Sequence, residues 1–274
     1  GGHTDHRPLV GLLPSIVAIR DAVQRERGYA TPVRIGSAGG IGTPAAAAAA
    51  FQMGADYIVT GSINQACRES GASSYTRELL AKADSADMGN APASDMFEMG
   101  VTVQVLKRGT MFAMRAQKLY ELYTRYESID EIPDVEREKI EKTIFKTDLE
   151  SVWQDCVRFF TERDPSQLER GRKSEKERMA LIFRWYLGQA SRWSVTGEKG
   201  REMDYQIWCG PSMGAFNEWA KGTALEAAEN RSVADVALRL LNGAAGILRM
   251  TTAELFGVSI APEVRGYFLP CGLA

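Results

Sequence analysis

The sequence reads as an α/β protein: the closing strand–helix units of a (β/α)8 barrel, followed by a mostly helical section. Residues 32–66, PVRIGSAGGIGTPAAAAAAFQMGADYIVTGSINQA, run strand, glycine-rich turn, alanine-rich helix, strand and a second small-residue turn. Two successive strands each end in glycine where the chain turns toward a helix, which is the habit of parallel βα units. Beyond residue 66 the apolar residues recur mainly at helical spacing.

The first segment, GGHTD, precedes an amphipathic helix from Leu9 to about Gln24, which reads as the crossover into the first strand. The chain is therefore expected to start just after a strand and to be the C-terminal part of a longer protein. Val33–Ser37 is a short β-branched run that stops at Ala38-Gly39-Gly40. Thr43-Pro44 then starts the alanine-rich helix, which ends before Gly54. Tyr57–Thr60 is the second strand, closed by Gly61-Ser62.

A helix is expected over Ser74–Ala83, and an irregular loop over ADSADMGNAPASDMFEMGV, given its Asp, Gly, Asn and Pro content. Met88, Met96 and Met99 of that loop are expected to pack. Thr110–Tyr126 is expected to be a helix, its apolar residues Met111, Met114, Leu119, Leu122, Tyr123 and Tyr126 recurring at helical spacing. After a helix Asp134–Phe145, another over Asp148–Thr161 turns Val152, Trp153, Cys156, Phe159 and Phe160 inward. The charged stretch Leu168–Arg178 leads into the apolar run Met179–Leu187. A glycine-rich patch, GPSMG at 210–214, precedes a helix Ser232–Leu248 capped by Ser232. The tail Gly257–Ala274 has strand-like pieces. The expected division is residues 1–66, the barrel units, and 67–274, the helical subdomain and tail.

Composition narrows the function. The net charge of −2 gives no electrostatic case for nucleic acid or an anionic membrane, and 45% hydrophobic residues suffice for a core. No apolar run approaches the roughly 20 residues of a membrane span. Cys67, Cys156, Cys209 and Cys271 share no metal-site or disulfide spacing, which suits a reducing cytoplasm.

Glycine turns at the ends of adjacent parallel strands place bare N–H groups at a sheet edge, an arrangement suited to phosphate. Gly39, Gly40, Gly61 and Ser62 are the candidate donors, the alternative being glycines that merely permit tight turns. SAGGIG lacks the GxGxxG order of a dinucleotide fingerprint. His3 lies on the loop before the first crossover helix, where it would face the same rim as a proton donor or as a hydrogen-bond donor to a polarised carbonyl. The alternative is an exposed or capping histidine.

GGHTDHRPL, RIGSAGGIGTPAAAAAAFQMGADYIVTGSINQA, ADSADM, APASDMFEMGVTVQVLKRGTMFAMRA and GPSMGAFNEWAKGT together closely resemble the PfaD family. These are flavin-dependent, trans-acting enoyl reductases of polyunsaturated fatty acid and polyketide synthases, related to nitronate monooxygenases. The resemblance implies FMN as cofactor and NADPH as reductant. It implies that Gly39 and Gly40 form the phosphate loop after strand seven, that Gly61 and Ser62 follow strand eight, that Gly2 lies beside the flavin, and that His3 acts near flavin N5. The implied partners are an acyl carrier protein bearing an enoyl thioester and a synthase complex; a homodimer is compatible with it. Lys107, Arg108 and Arg115 are the basic residues expected to meet an acidic carrier. With so few βα units, the chain alone is expected to bind FMN poorly. A nitronate monooxygenase and a non-catalytic interaction fragment of a synthase are the other readings.

Overall fold

The structure, a computed structural model, describes residues 7–267. In chain order the elements are α1 (Leu9–Arg27), β1 (Gly36–Ala38), α2 (Pro44–Gln52), β2 (Tyr57–Val59), α3 (Ser62–Gln65), α4 (Ser74–Ala81), β3 (Met88–Pro92), β4 (Thr102–Leu106), α5 (Phe112–Arg125), α6 (Asp134–Ile140), α7 (Leu149–Arg163), α8 (Pro165–Lys173), α9 (Glu175–Thr196), α10 (Ser212–Ala220), α11 (Val233–Leu255) and α12 (Pro262–Tyr267). Two compact units result. One comprises residues up to Met88 together with those from Trp208 onward; the other is Gly89–Ile207. Residue 66 is where the βα pattern ends, yet the chain compacts differently, because the segment after Ile207 packs on α2 and α3.

In the first unit β1 and β2 pair in parallel, with Gly36 opposite Tyr57, Ser37 opposite Ile58 and Ala38 opposite Val59. The Thr43 side chain caps α2 by accepting from Ala46 N–H, and Pro44 occupies the first turn, where its missing N–H costs nothing. Ala47, Ala48 and Ala50 of α2 are buried in one cluster with Ala244 of α11. Gly243 and Gly246 are also buried on α11. Small side chains on α2 and α11 are what allow two helix backbones to approach closely. A second cluster joins Ile63 and Cys67 to Phe216 and Ala220 of α10 and to Val236 and Leu240 of α11. Ser232 caps α11 as the sequence predicts, its side chain accepting from Asp235 N–H.

Arg231 is fully buried, and among the described residues no carboxylate forms an ion pair with it. Its guanidinium donates to the carbonyls of Leu225 (2.7 Å) and Glu226 (3.1 Å) and lies over the Phe216 ring. Burial pulls its pKa down to about 10, which leaves it charged at neutral pH.

The second unit pairs β3 with β4 and stacks α5 to α9. This pair corrects the expected irregular loop: turn-forming residues dominate MGNAP, but pairing with Thr102–Leu106 overrides local preference. Met99 and Met114 are exposed rather than packed, and Phe159 is 49% exposed where helical spacing pointed it inward. The tail differs too, since Pro262–Tyr267 is helical rather than strand-like.

A buried carboxylate organises this unit. Asp204 has no solvent exposure, and it pairs with Arg115, Arg201 (3.2 Å) and Lys146 (3.5 Å) while accepting from the Tyr186 hydroxyl (2.9 Å). Arg201 also donates to the carbonyls of Ile144 and Phe145 and lies 4.2 Å from the Trp193 ring centre. The chain at this point leaves a π-helical turn, Glu141–Phe145, through Lys146 in the left-handed region at φ 59°. Burial, reinforced by the Asp204 charge, raises the Tyr186 pKa and keeps it a neutral donor.

Asp204→Asn leaves three cations around an uncharged amide, so it is expected to destabilise this unit by about 3–5 kcal/mol, and Tyr186→Phe by about 1 kcal/mol. Urea titrations followed by far-UV circular dichroism measure both.

Burial likewise raises the thiols of Cys67 to about 11 and of Cys156 and Cys209 to about 12. Burial disfavours the thiolate, so this stabilisation holds below the ordinary thiol range and is lost as pH rises toward those values. At pH 8 these three thiols are expected to react with an aromatic disulfide reagent only as the chain unfolds, which is read by comparing labelling with and without urea.

Candidate functional site

The C-terminal ends of β1 and β2 carry the candidate site. Gly39 and Gly40 both adopt positive φ, 88° and 73°, which an L side chain adopts only at a cost. A Cβ on Gly40 would meet nothing within 4 Å, so the space beside it is open. At the neighbouring strand end Gly61 is exposed. No acceptor takes up the amide N–H of Gly40 or of Gly61 among the described residues. Two unspent backbone donors at adjacent parallel strand ends, with open space beside one, suit an anion such as a phosphate.

Ser62 behaves differently from its neighbours. It is buried, and its hydroxyl oxygen accepts from Gly210 N–H at 2.9 Å, so the side chain is committed to holding the 210–214 segment. That segment lies against the βα turns at backbone distance. A Cβ on Gly42 would collide with the carbonyl oxygen of Ser212, and one on Gly214 would collide with the backbone at Asp84 and Ser85. Ser85 Oγ donates to Pro211 O at 3.2 Å, and the Asn217 amide donates to Leu80 O (2.8 Å) and Ala83 O (2.7 Å) at the end of α4.

Gly39, Gly40, Gly61 and Ser62 thus come together, while Gly2 and His3 lie outside the described residues. Gly42, Gly210 and Ser212 were not among the residues expected from the sequence. GPSMG signals a turn, but spacing alone cannot say which distant turn it meets. Arg115, expected at a carrier-facing surface, is instead tied to buried Asp204. The methylenes of Lys107 lie against Gly89. Among the described residues no cluster of His, Cys, Asp and Glu could hold a metal ion, and no helix is long and apolar enough to cross a membrane.

Comparison with known proteins places these features. A crystallised enoyl reductase domain of MlnA from the macrolactin cluster of Bacillus amyloliquefaciens superposes with a TM-score of 0.87 at 39% identity, over 92% of this chain and 57% of that one. A polyunsaturated fatty acid synthase polypeptide of Thraustochytrium sp. is 48% identical over 257 residues, which is 91% of this chain and 17% of that protein. By sequence and fold the chain groups with the PfaD-like enoyl reductases. The polyketide biosynthesis protein PksE of Bacillus subtilis is 43% identical over 93% of this chain, and the chain spans 33% of it. Residues 126–205, inside the Gly89–Ile207 unit, match a family described as "[Acyl-carrier-protein] S-malonyltransferase, inserted helical domain". In this PfaD-like chain the glycine turns and the 210–214 segment belong to one compact unit, and the matched helices belong to the other.

Gly42→Ala sets a methyl against a backbone carbonyl that cannot rotate away. It is expected to cost about 1–3 kcal/mol by overpacking. Gly40→Ala meets no atom and is expected to cost only the left-handed backbone penalty, about 1–2 kcal/mol. Thermal unfolding of both variants, with loss of protease resistance around residue 210 in Gly42→Ala alone, checks the difference.

Proposed function

We propose that this chain supplies the phosphate end of an FMN site in a (β/α)8 barrel, and that the protein is an NADPH-using enoyl-thioester reductase of polyunsaturated fatty acid or polyketide biosynthesis. The observation that carries this reading is the 0.87 superposition, at 39% identity, on an enoyl reductase domain. Relatives from both kinds of synthase support the pathway. The substrate on this reading is an enoyl group presented in trans by an acyl carrier protein, in the cytoplasm.

The residues present fit the phosphate of FMN. Gly40 and Gly61 offer amide donors that no described residue uses, Gly39 shapes the turn, and the Ser62 hydroxyl fixes the 210–214 segment beside them. When bound, FMN supplies hydride transfer from NADPH to the β-carbon of the enoyl thioester. The chain's own task is to orient and to stabilise charge. Conjugate reduction builds enolate charge on the thioester oxygen, and a donor placed on that oxygen is worth about 3 kcal/mol. We assign this role, or delivery of the proton to the α-carbon, to His3, with Gly2 giving close approach to the flavin.

His3→Ala is therefore expected to lower NADPH-dependent reduction of a crotonyl thioester about a hundred-fold or more while flavin content stays at the parent level. Gly40→Ala is expected to weaken FMN retention while the fold persists. Oxygen consumption on a nitronate without crotonyl-thioester reduction would overturn the assignment in favour of a nitronate monooxygenase. A colourless full-length protein that cannot be reconstituted with FMN would overturn both.

A further inference from the structure

Between α7 and α9 the Gly89–Ile207 unit carries a groove of about 930 Å³. Its lining includes the aromatic rings of Phe159 and Trp185, and its rim carries Arg158, Arg163, Arg184 and Arg192 against a single carboxylate, Asp155. Two of these arginines are held by the unit itself. Arg158 pairs with Asp155, and Arg184 donates to Ser94 O (2.8 Å) and pairs with Glu98 (3.0 Å). The other two are not: among the described residues no carboxylate lies within ion-pair reach of Arg163 or Arg192. Arg163 instead lies 4.4 Å from the ring centre of the half-exposed Phe159. In a chain whose net charge is −2, this is a local concentration of guanidinium groups, each able to grip a carboxylate or phosphate with two parallel donors.

The helix bearing Arg184 and Arg192 shows the same bias. Gly188 stands one turn from each on the same face, in the interior of the 22-residue α9, where glycine weakens a helix. It is exposed, lines the groove, and a Cβ there would meet nothing within 4 Å. A larger residue would fit the helix better and would partly fill the groove.

All four arginines and Gly188 fall inside residues 126–205, the segment matching the inserted helical domain of an acyl-carrier-protein S-malonyltransferase family. Malonyl transfer and enoyl reduction share no bond-making step; what they share is a thioester borne by a carrier. We propose that this arginine-rimmed groove docks the acyl carrier protein, taking an acidic helix of the carrier on its rim and the phosphate-linked arm along its aromatic lining. This rests on the enoyl reductase reading for the identity of the partner, and it replaces Lys107, Arg108 and Arg115 as the docking residues.

The test is fluorescence anisotropy of a labelled, phosphopantetheine-bearing carrier protein from the same synthase, titrated with the full protein at low salt. Arg163→Glu/Arg192→Glu and Gly188→Leu are each expected to weaken binding about ten-fold or more, with the affinity falling steeply as salt is raised, whereas Lys107→Glu/Arg108→Glu changes it less than about two-fold. Melting temperatures of the variants are measured alongside, and Gly188→Leu is expected to melt no lower than the parent. Parent affinity in both groove variants would overturn the proposal. So would dodecanoate binding in a groove that has no affinity for the carrier, or groove variants that alter only self-association of the chain. Reduction of crotonyl-N-acetylcysteamine, which has neither carrier nor phosphate, is read in parallel and is expected to be unchanged in the groove variants. If that reduction is absent in the parent while the groove variants still weaken carrier binding, the reductase reading fails and the docking site stands.

Discussion

The candidate site depends on backbone meeting backbone along residues 210–214. Gly42 and Gly214 leave room for the Ser212 carbonyl and the Asp84–Ser85 backbone, and the buried Ser62 hydroxyl takes up Gly210 N–H. A close backbone seam has no side chain that can rotate to relieve a misfit, so its geometry is fixed by the absence of Cβ atoms. This holds the two βα turns at a set separation and, among the described residues, leaves the N–H groups of Gly40 and Gly61 unspent. A phosphate site built from backbone donors needs that rigidity, because the donors cannot adjust after the ligand arrives.

What the sequence revealed of this arrangement follows from the range of each signal. Thr43-Pro44 at a helix start, Gly54 beyond its end, and Ser232 before α11 act within one turn, and all three boundaries hold. The parallel pairing of β1 with β2 was legible because both strands end in glycine at the same point of a repeated pattern. GPSMG was visible as glycine-rich but silent about its partner, since a close approach to Gly42, some 170 residues earlier, leaves no periodicity to read. The strand Met88–Pro92 was hidden for a related reason: its composition favours turns, and only pairing with β4 makes it a strand. Phe159 misled in the opposite direction. Helical spacing marks it as core, while in the fold it stays half-exposed in the groove beneath Arg163.

The two units also solve the burial of charge in different ways. Arg231 is enclosed by carbonyl oxygens and an aromatic face, with desolvation answered by neutral dipoles. Asp204 is enclosed by three cations and a phenol, an arrangement in which loss of one partner leaves the others uncompensated. Arg231 ties the 224–230 turns to α10, which lies just before them, whereas Asp204 joins segments far apart in sequence, the α5 helix, the π-helical turn and α9.

That division of labour bears on which arginines of the helical unit are available to a partner. Arg115 and Arg201 spend their donors inward on Asp204 and on the carbonyls of Ile144 and Phe145, so replacing either would be read first as a stability defect. Arg163 and Arg192 have no such internal duty among the described residues, and like exposed guanidiniums close together repel, at a cost screened by water and salt. Side chains that neither pin the fold nor neutralise one another persist in a groove at little structural benefit. An incoming carboxylate or phosphate turns that idle repulsion into attraction, which is the physical reason the rim, rather than the buried hub, is where recognition by charge belongs.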